Sequence, residues 1–298
     1  MSLKKSHLKL LFYISFSICL ILNSDITVLS LEKSIQRCVH SLLPSIFPFL
    51  ILSKQMSQFI YFPDSFSQSK FCRYFCPNKD ILSIIPISAL TGYPVSASLL
   101  NEKYKNKKIS YSDFEKSTYL LNGASPSFYT FFVGNVFFGS LKEGFLLYVC
   151  QFLSVILLLK SCRFSAVSSS SENKKAGDLS VSIKEAASSF ILICSTSIYF
   201  TLLSDVVLNC FSALKLRNLL LPLCAITEVT NGVFLISDFS QKMFLFLLCF
   251  ICSSGGISAF YQIKSVCMPN EISIKRYFKT KLLISTIMFG LYNIFSLF

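Results

Sequence analysis

The chain has 298 residues, 53% of them hydrophobic and only 14% charged, with a mean hydropathy of +0.60. A soluble domain carries charge on about a quarter of its residues, so the composition excludes an ordinary soluble protein and points to an all-α, polytopic membrane protein. The net charge of +13 would suggest nucleic acid in a soluble chain. Here it reads as Lys and Arg gathered in cytoplasmic loops, and no nucleic-acid partner is expected.

Apolar runs of bilayer-spanning length recur at 8–29, 35–60, 81–101, 117–138, 141–160, 184–208, 218–236, 241–263 and 280–298. Polar stretches separate them at 61–80, 101–116, 161–183 and 264–279. Residues 1–30 form a signal-anchor-like span: Lys4, Lys5 and Lys9 precede an apolar stretch that lacks a small-x-small cleavage site. Residues 31–160 and 184–298 read as two repeats, divided by the Ser-rich linker 161–183.

The run "ISALTGYPVSASLLNEK" is long enough to cross a bilayer, but Thr91-Gly92-Tyr93-Pro94 at its centre breaks a helix. If it crossed fully from a cytoplasmic amino terminus, Lys103, Lys105, Lys107, Lys108 and Lys116 would lie outside. If 81–101 and 218–236 instead dip in and return, the basic clusters at Lys4–Lys9, Lys70–Lys79, Lys103–Lys116, Lys160–Lys184 and Lys264–Lys281 all fall inside. Lys33, Arg37, Lys142, Lys215, Arg217 and Lys242 remain outside, and Lys54 stays within a span. The positive-inside bias selects the second arrangement, a re-entrant hairpin in each repeat.

The halves echo each other in order. "SIQRCVHSLLPSIFPFLILSKQM" resembles "SIKEAASSFILICSTSIYFTLL". "IIPISALTGYPVSA" matches "LLPLCAITEVTNGV" at Pro86 and Pro222, Ala89 and Ala225, and Thr91 and Thr227. "YLLNGASPSFYTFFVG" and "CFICSSGGISAFYQIK" share a small-residue centre. In the arrangement above the repeats are inverted, and inverted repeats with interrupted helices mark secondary transporters, whose solute site lies where the repeats meet.

Broken backbone at membrane depth is tolerated only where protein buries it or a watery cavity solvates it. Its freed N–H and C=O groups are then available to a polar or anionic solute. The expected substrate-binding residues are Thr91, Gly92, Tyr93, Asn122 and Ser125 in the first half. The second half contributes Thr227, Glu228, Asn231, Ser253 and Gly255. Tyr93 offers a ring for stacking, or it packs in the wall of the turn. Glu228 is an ionisable group within a membrane segment, which is costly and so points to function; its alternative is a solvated place at the interface. Asp205, near a span end, reads as solvated. The small residues at 123–125 and 253–256 also suit close helix packing.

Twelve cysteines are scattered through the chain, many within apolar runs, and read as small buried hydrophobes. With two His residues a metal site is not expected; Cys72-x-x-x-Cys76 is a single isolated spacing. No cofactor is expected either. The sequence lacks HExxH, GxGxxG and a Walker lysine motif, and "GASPS" does not match a GxSxG elbow, so an enzyme is not expected.

The motifs "PSIFPFLILS", "GYPVSASLLNEKY", "ITEVTNG" and "SSGGISA" resemble the YlbJ (SpoVV) family of sporulation integral membrane proteins. That family carries a Gate, or nucleoside-recognition, domain and is distantly similar to concentrative nucleoside transporters. The likeness covers roughly residues 30–298. It departs at Ser96-Ala97, where the family has Gly-Ala, and at Asn122-Gly123-Ala124-Ser125-Pro126, where the family has Asn-x-x-Gly-Pro. The resemblance implies transport of dipicolinic acid, a flat pyridine dicarboxylate, across the outer forespore membrane. The expected partners are a small planar, anionic solute, the lipid bilayer and a coupling cation or proton, with a homo-oligomer allowed. A nucleoside-like solute carrier and a non-transporting scaffold acting in sporulation are the alternatives.

Overall fold

Short polar side chains set where many of the helices begin, by accepting hydrogen bonds from amides that have no partner in the first turn. Asn78 accepts from the amides of Asp80 and Ile81, Ser110 from Asp113, Ser140 from Glu143, Asp178 from Ser180 and Ser273 from Arg276. The computed structural model describes residues 2–59, 78–165, 178–212, 217–237, 239–268 and 272–297. Cys72, Cys76 and the centre of the Ser-rich linker lie outside the described residues.

Among the described residues the fold is all-helical. Helices α1 (Ser2–Leu22) and α2 (Ser24–Arg37) lead through a widened turn, Cys38–Leu42, into α3 (Leu43–Phe59). The widened turn comes just before Pro44, which has no N–H to return to the preceding turn. Then follow α4 (Lys79–Thr91), α5 (Val95–Lys105), α6 (Tyr111–Leu121), a helical stretch containing the widened turn Phe128–Gly134, and α7 (Leu141–Ser161). The second half comprises α8 (Leu179–Cys210), α9 (Arg217–Ala225), α10 (Val229–Leu235), α11 (Gln241–Ser254), α12 (Gly256–Cys267) and α13 (Ile274–Phe295).

Among the described residues each half contains, in order, a helix, two interrupted helices and a helix. Both expected interruptions, at 92–94 and 226–228, are present, as are two more at 122–125 and at Gly255. The first interrupted run doubles back. Asp80 at its start and Lys103 near its end form an ion pair at 2.7 Å, whereas a straight helix would hold them roughly 35 Å apart. The second also folds on itself, because a Cβ on Gly232 would come within 2.1 Å of the Ala225 carbonyl oxygen.

Leu141–Ser161, Leu179–Cys210 and Gln241–Cys267 are long and apolar enough to cross a membrane, and the bent pair His7–Leu22 with Ser24–Leu42 makes a fourth candidate. These helices are compatible with an integral membrane protein. Several boundaries differ from expectation, and two of them bear on the site. The first run ends at Leu22, where the chain bends by 95°. Asn23 sits at that bend, donating to the Cys19 carbonyl at 2.8 Å and accepting from Asn209 of α8 at 2.7 Å. The last run begins earlier, at Ile274, which sets Lys281 two turns inside the helix instead of at its edge. Two cores join the halves: Val95, Ala124 and Phe128 cluster with Ala225, Val229 and Ile251, and Ile81, Leu100 and Phe114 with Phe260, Ile263 and Tyr277.

Candidate functional site

The interruptions in each half are tied to one another. Gly92 ends α4 at φ 68 and ψ −157, a left-handed value that favours glycine. A Cβ there would approach the Gly123 carbonyl oxygen to 2.5 Å. The Tyr93 amide donates to that carbonyl at 3.0 Å, and the Tyr93–Pro94 peptide is cis. In the second half, the Ile257 and Ser258 amides in the first turn of α12 donate to the Ile226 and Thr227 carbonyls, both at 2.9 Å. Across the halves the Tyr93 ring lies against Gly255, where a Cβ would meet its Cε1 at 2.7 Å. All four interruptions thus converge.

Beside this junction is a cavity of about 30 Å³, room for one or two waters. Thr91, Tyr93 and Ser125 line it from the first half, with Phe128 and Leu42. Ser197, Glu228, Thr230, Ser258 and Gln262 line it from the second. Its wall holds a carboxylate, hydroxyls and an amide, and no Lys or Arg among the described residues.

Of the expected site residues, the structure brings Thr91, Tyr93, Ser125 and Glu228 to this cavity. Thr91 turns its hydroxyl back to the Ile87 carbonyl at 3.0 Å. Ser125 meets the Phe128 amide and the Ser127 hydroxyl, starting the helix that follows. The Tyr93 hydroxyl has no hydrogen-bond partner among the described residues. Glu228 is buried; its Oε2 accepts from the Thr230 hydroxyl at 2.5 Å and the Asn231 amide at 2.8 Å, capping α10.

The other expected residues are placed elsewhere. Gly92 and Gly255 shape the junction. Asn122 clamps it, accepting from the Ala97 amide at 3.1 Å and donating to the Thr118 carbonyl at 2.8 Å. Thr227 donates to the Cys224 carbonyl at 2.6 Å and pairs with Ser204 at 3.1 Å, and Ser253 is turned to the Phe250 carbonyl. Asn231 faces a different space. The backbone groups expected to be free for a solute are in large part joined to each other, so the cavity presents mainly side chains.

Two residues stand out that sequence patterns passed over. Gln262 is buried at the cavity wall, donates to Thr196 at 2.7 Å, and keeps its Oε1 without a partner, an arrangement that calls for a donor from within. Lys281 is completely buried. Its side-chain nitrogen donates to the Asn122 carbonyl, just past the end of α6, and lies 5.3 Å from the Tyr277 ring. No carboxylate pairs with it among the described residues. Tyr277 in turn donates to the Ser254 carbonyl at 2.5 Å, so α13 fastens one interruption in each half.

A second space of about 910 Å³ opens to the surface beside α2, α8 and α10. Lys33, Arg37, His40, Asp205 and Asn231 are among its walls. Asp205 accepts from Ser30 at 2.6 Å and from the Asn231 amide group at 3.1 Å, a polar network where a solvated residue was expected. Comparison with family models, curated proteins and solved structures returned no match.

Proposed function

We propose that this chain is a secondary transporter of a small planar anion, and, by its resemblance to the sporulation membrane family, that the solute is dipicolinate crossing the outer forespore membrane. The observation that carries the reading is the convergence of four helix interruptions on a buried polar cavity, an arrangement that simple membrane packing does not require. The doubling back at Asp80–Lys103 and at Ala225–Gly232 supports a re-entrant hairpin in each half. The distribution of basic clusters supports inverted halves with a cytoplasmic amino terminus.

At about 30 Å³ the cavity is far below the roughly 300–1,000 Å³ of ligand sites, so this conformation is a closed one and the solute enters after a rearrangement. Tyr93 supplies a ring face and a hydroxyl, Gln262 an unpaired acceptor. An anion beside Glu228 requires a compensating proton or cation, and the proton is taken here as the coupled species.

The absence of Lys and Arg from the described cavity wall favours a second reading, a neutral nucleoside-like solute. Counterflow into liposomes separates the two. Labelled pyridine-2,6-dicarboxylate entering, with no competition from uridine, is the expected result; uridine entering instead selects the second reading. Entry of neither solute contradicts both.

A further inference from the structure

Helix α10 is a thin partition. Glu228 and Thr230, at its start, face the closed cavity, while Asn231 and Phe234 face the open space of about 910 Å³. Lys33, Arg37 and His40 enter that space at a spacing of four and three residues, which places them on one side of their helix. Asp205 is the single carboxylate lining it among the described residues, and Ser30 and Asn231 already donate to its two oxygens. Two fixed cations and an imidazole therefore outweigh one satisfied carboxylate.

Asn231 uses both ends of its side chain to hold α10 in place. Its amide nitrogen donates to Asp205 of α8 at 3.1 Å, and its oxygen accepts from Arg37 Nη1 of α2 at 3.3 Å. Arg37 also lies 5.4 Å from the Phe234 ring, so two contacts of one guanidinium bear on α10. Both are weak for that group. A guanidinium has five N–H donors arranged as a fork, and a neutral amide oxygen at 3.3 Å engages one of them. A carboxylate or phosphate engages two, with charge-assisted bonds about twice as strong. Lys33 and His40 have no partner among the described residues, so they are available to the same incoming group.

We propose that this space binds a small anion bearing carboxylate or phosphate oxygens, and that the bound anion takes Arg37 from Asn231 and so releases α10. The site then serves as the entrance to the closed cavity, and its occupant loosens the partition it has to pass. This extends the transport reading above, yet binding and release are measured without transport.

The test uses the full chain in phosphatidylcholine nanodiscs, with pyridine-2,6-dicarboxylate and inorganic phosphate as probes. Calorimetry reads affinity, and hydrogen exchange reads the amides of Val229–Leu235. The expected result is binding of at least one probe with faster exchange in that segment. Lys33→Gln should weaken binding roughly threefold while exchange without anion stays at the wild-type rate. Arg37→Gln should weaken binding about tenfold or more and give fast exchange before any anion is added. If Arg37→Gln fails to fold, the exposed Lys33 still decides. A lipid phosphate as the occupant has its own signature: phosphatidylglycerol in the nanodisc speeds exchange by itself and abolishes the effect of both soluble probes, which supports the site and assigns it to the headgroup. Binding that ignores both substitutions, or no change in Val229–Leu235 exchange with any probe or lipid, overturns the proposal. Binding as described, with no uptake into liposomes, sinks the transport reading and leaves the site standing. Uptake without this binding does the reverse.

Discussion

Glu228 combines two roles on one carboxyl group. Its Oε2 caps α10 through Thr230 and Asn231, and the same group faces the cavity. Glu228→Gln keeps an acceptor for the cap and cannot exchange a proton. The expected outcome is counterflow of the dicarboxylate near the wild-type rate with loss of accumulation driven by a pH gradient; accumulation that survives in this variant removes the proton from the mechanism. Gln262 invites a different comparison. Its Oε1 is buried without a partner, and an unsatisfied acceptor costs about 1–3 kcal/mol. Gln262→Leu should therefore leave the melting temperature near wild type while uptake falls about tenfold, the worth of one hydrogen bond to solute. A fall in stability with uptake unchanged would make the residue structural. Gly232 is confined by contact alone: Gly232→Ala sets a Cβ against the Ala225 carbonyl and should cost about 1–3 kcal/mol. Gly290→Ala, where a Cβ meets nothing within 4 Å, should change stability little in the same thermal unfolding series.

At the scale of elements, α13 fastens the two halves together. Lys281 brings its side-chain nitrogen to the carbonyl end of the interrupted helix α6, where the helix dipole is negative and where transporters with broken helices hold a coupling sodium ion. With the Lys281 nitrogen already seated in that place, uptake should proceed equally in sodium chloride and choline chloride. A strict sodium requirement would contradict this. Sequence patterns show the interruptions at 92–94 and 226–228, because Gly92, Pro94 and Glu228 stand out in apolar runs, and miss those at 122–125 and Gly255, where small residues also suit close packing. They do not show Lys281, whose neighbours Lys275, Arg276 and Lys279 make it look like the end of a basic cluster; its hydrogen-bond partner, the Asn122 carbonyl, is far away along the chain. Gln262, Ser197 and Ser258 are similarly hidden, since isolated polar residues in apolar helices acquire meaning only from what faces them. Arg37 and Asp205 were visible as charges, but their link through Asn231 depends on three helices meeting.

Across the whole molecule, the described helices of the two halves meet at their interruptions. Its present shape has a closed cavity on one side of α10 and an open, basic space on the other, which is one half of an alternating-access cycle under the transport proposal. The orientation of the halves has its own check. A cysteine at Asn106, between α5 and α6, in a background without other cysteines should resist an impermeant thiol reagent applied from outside; ready labelling would remove the re-entrant arrangement. The transport claim itself is tested most directly by accumulation of labelled pyridine-2,6-dicarboxylate in liposomes holding the purified chain under an imposed pH gradient. The account predicts accumulation above protein-free liposomes that collapses when the gradient is dissipated. Equal label in the two preparations, with the protein folded, would contradict it.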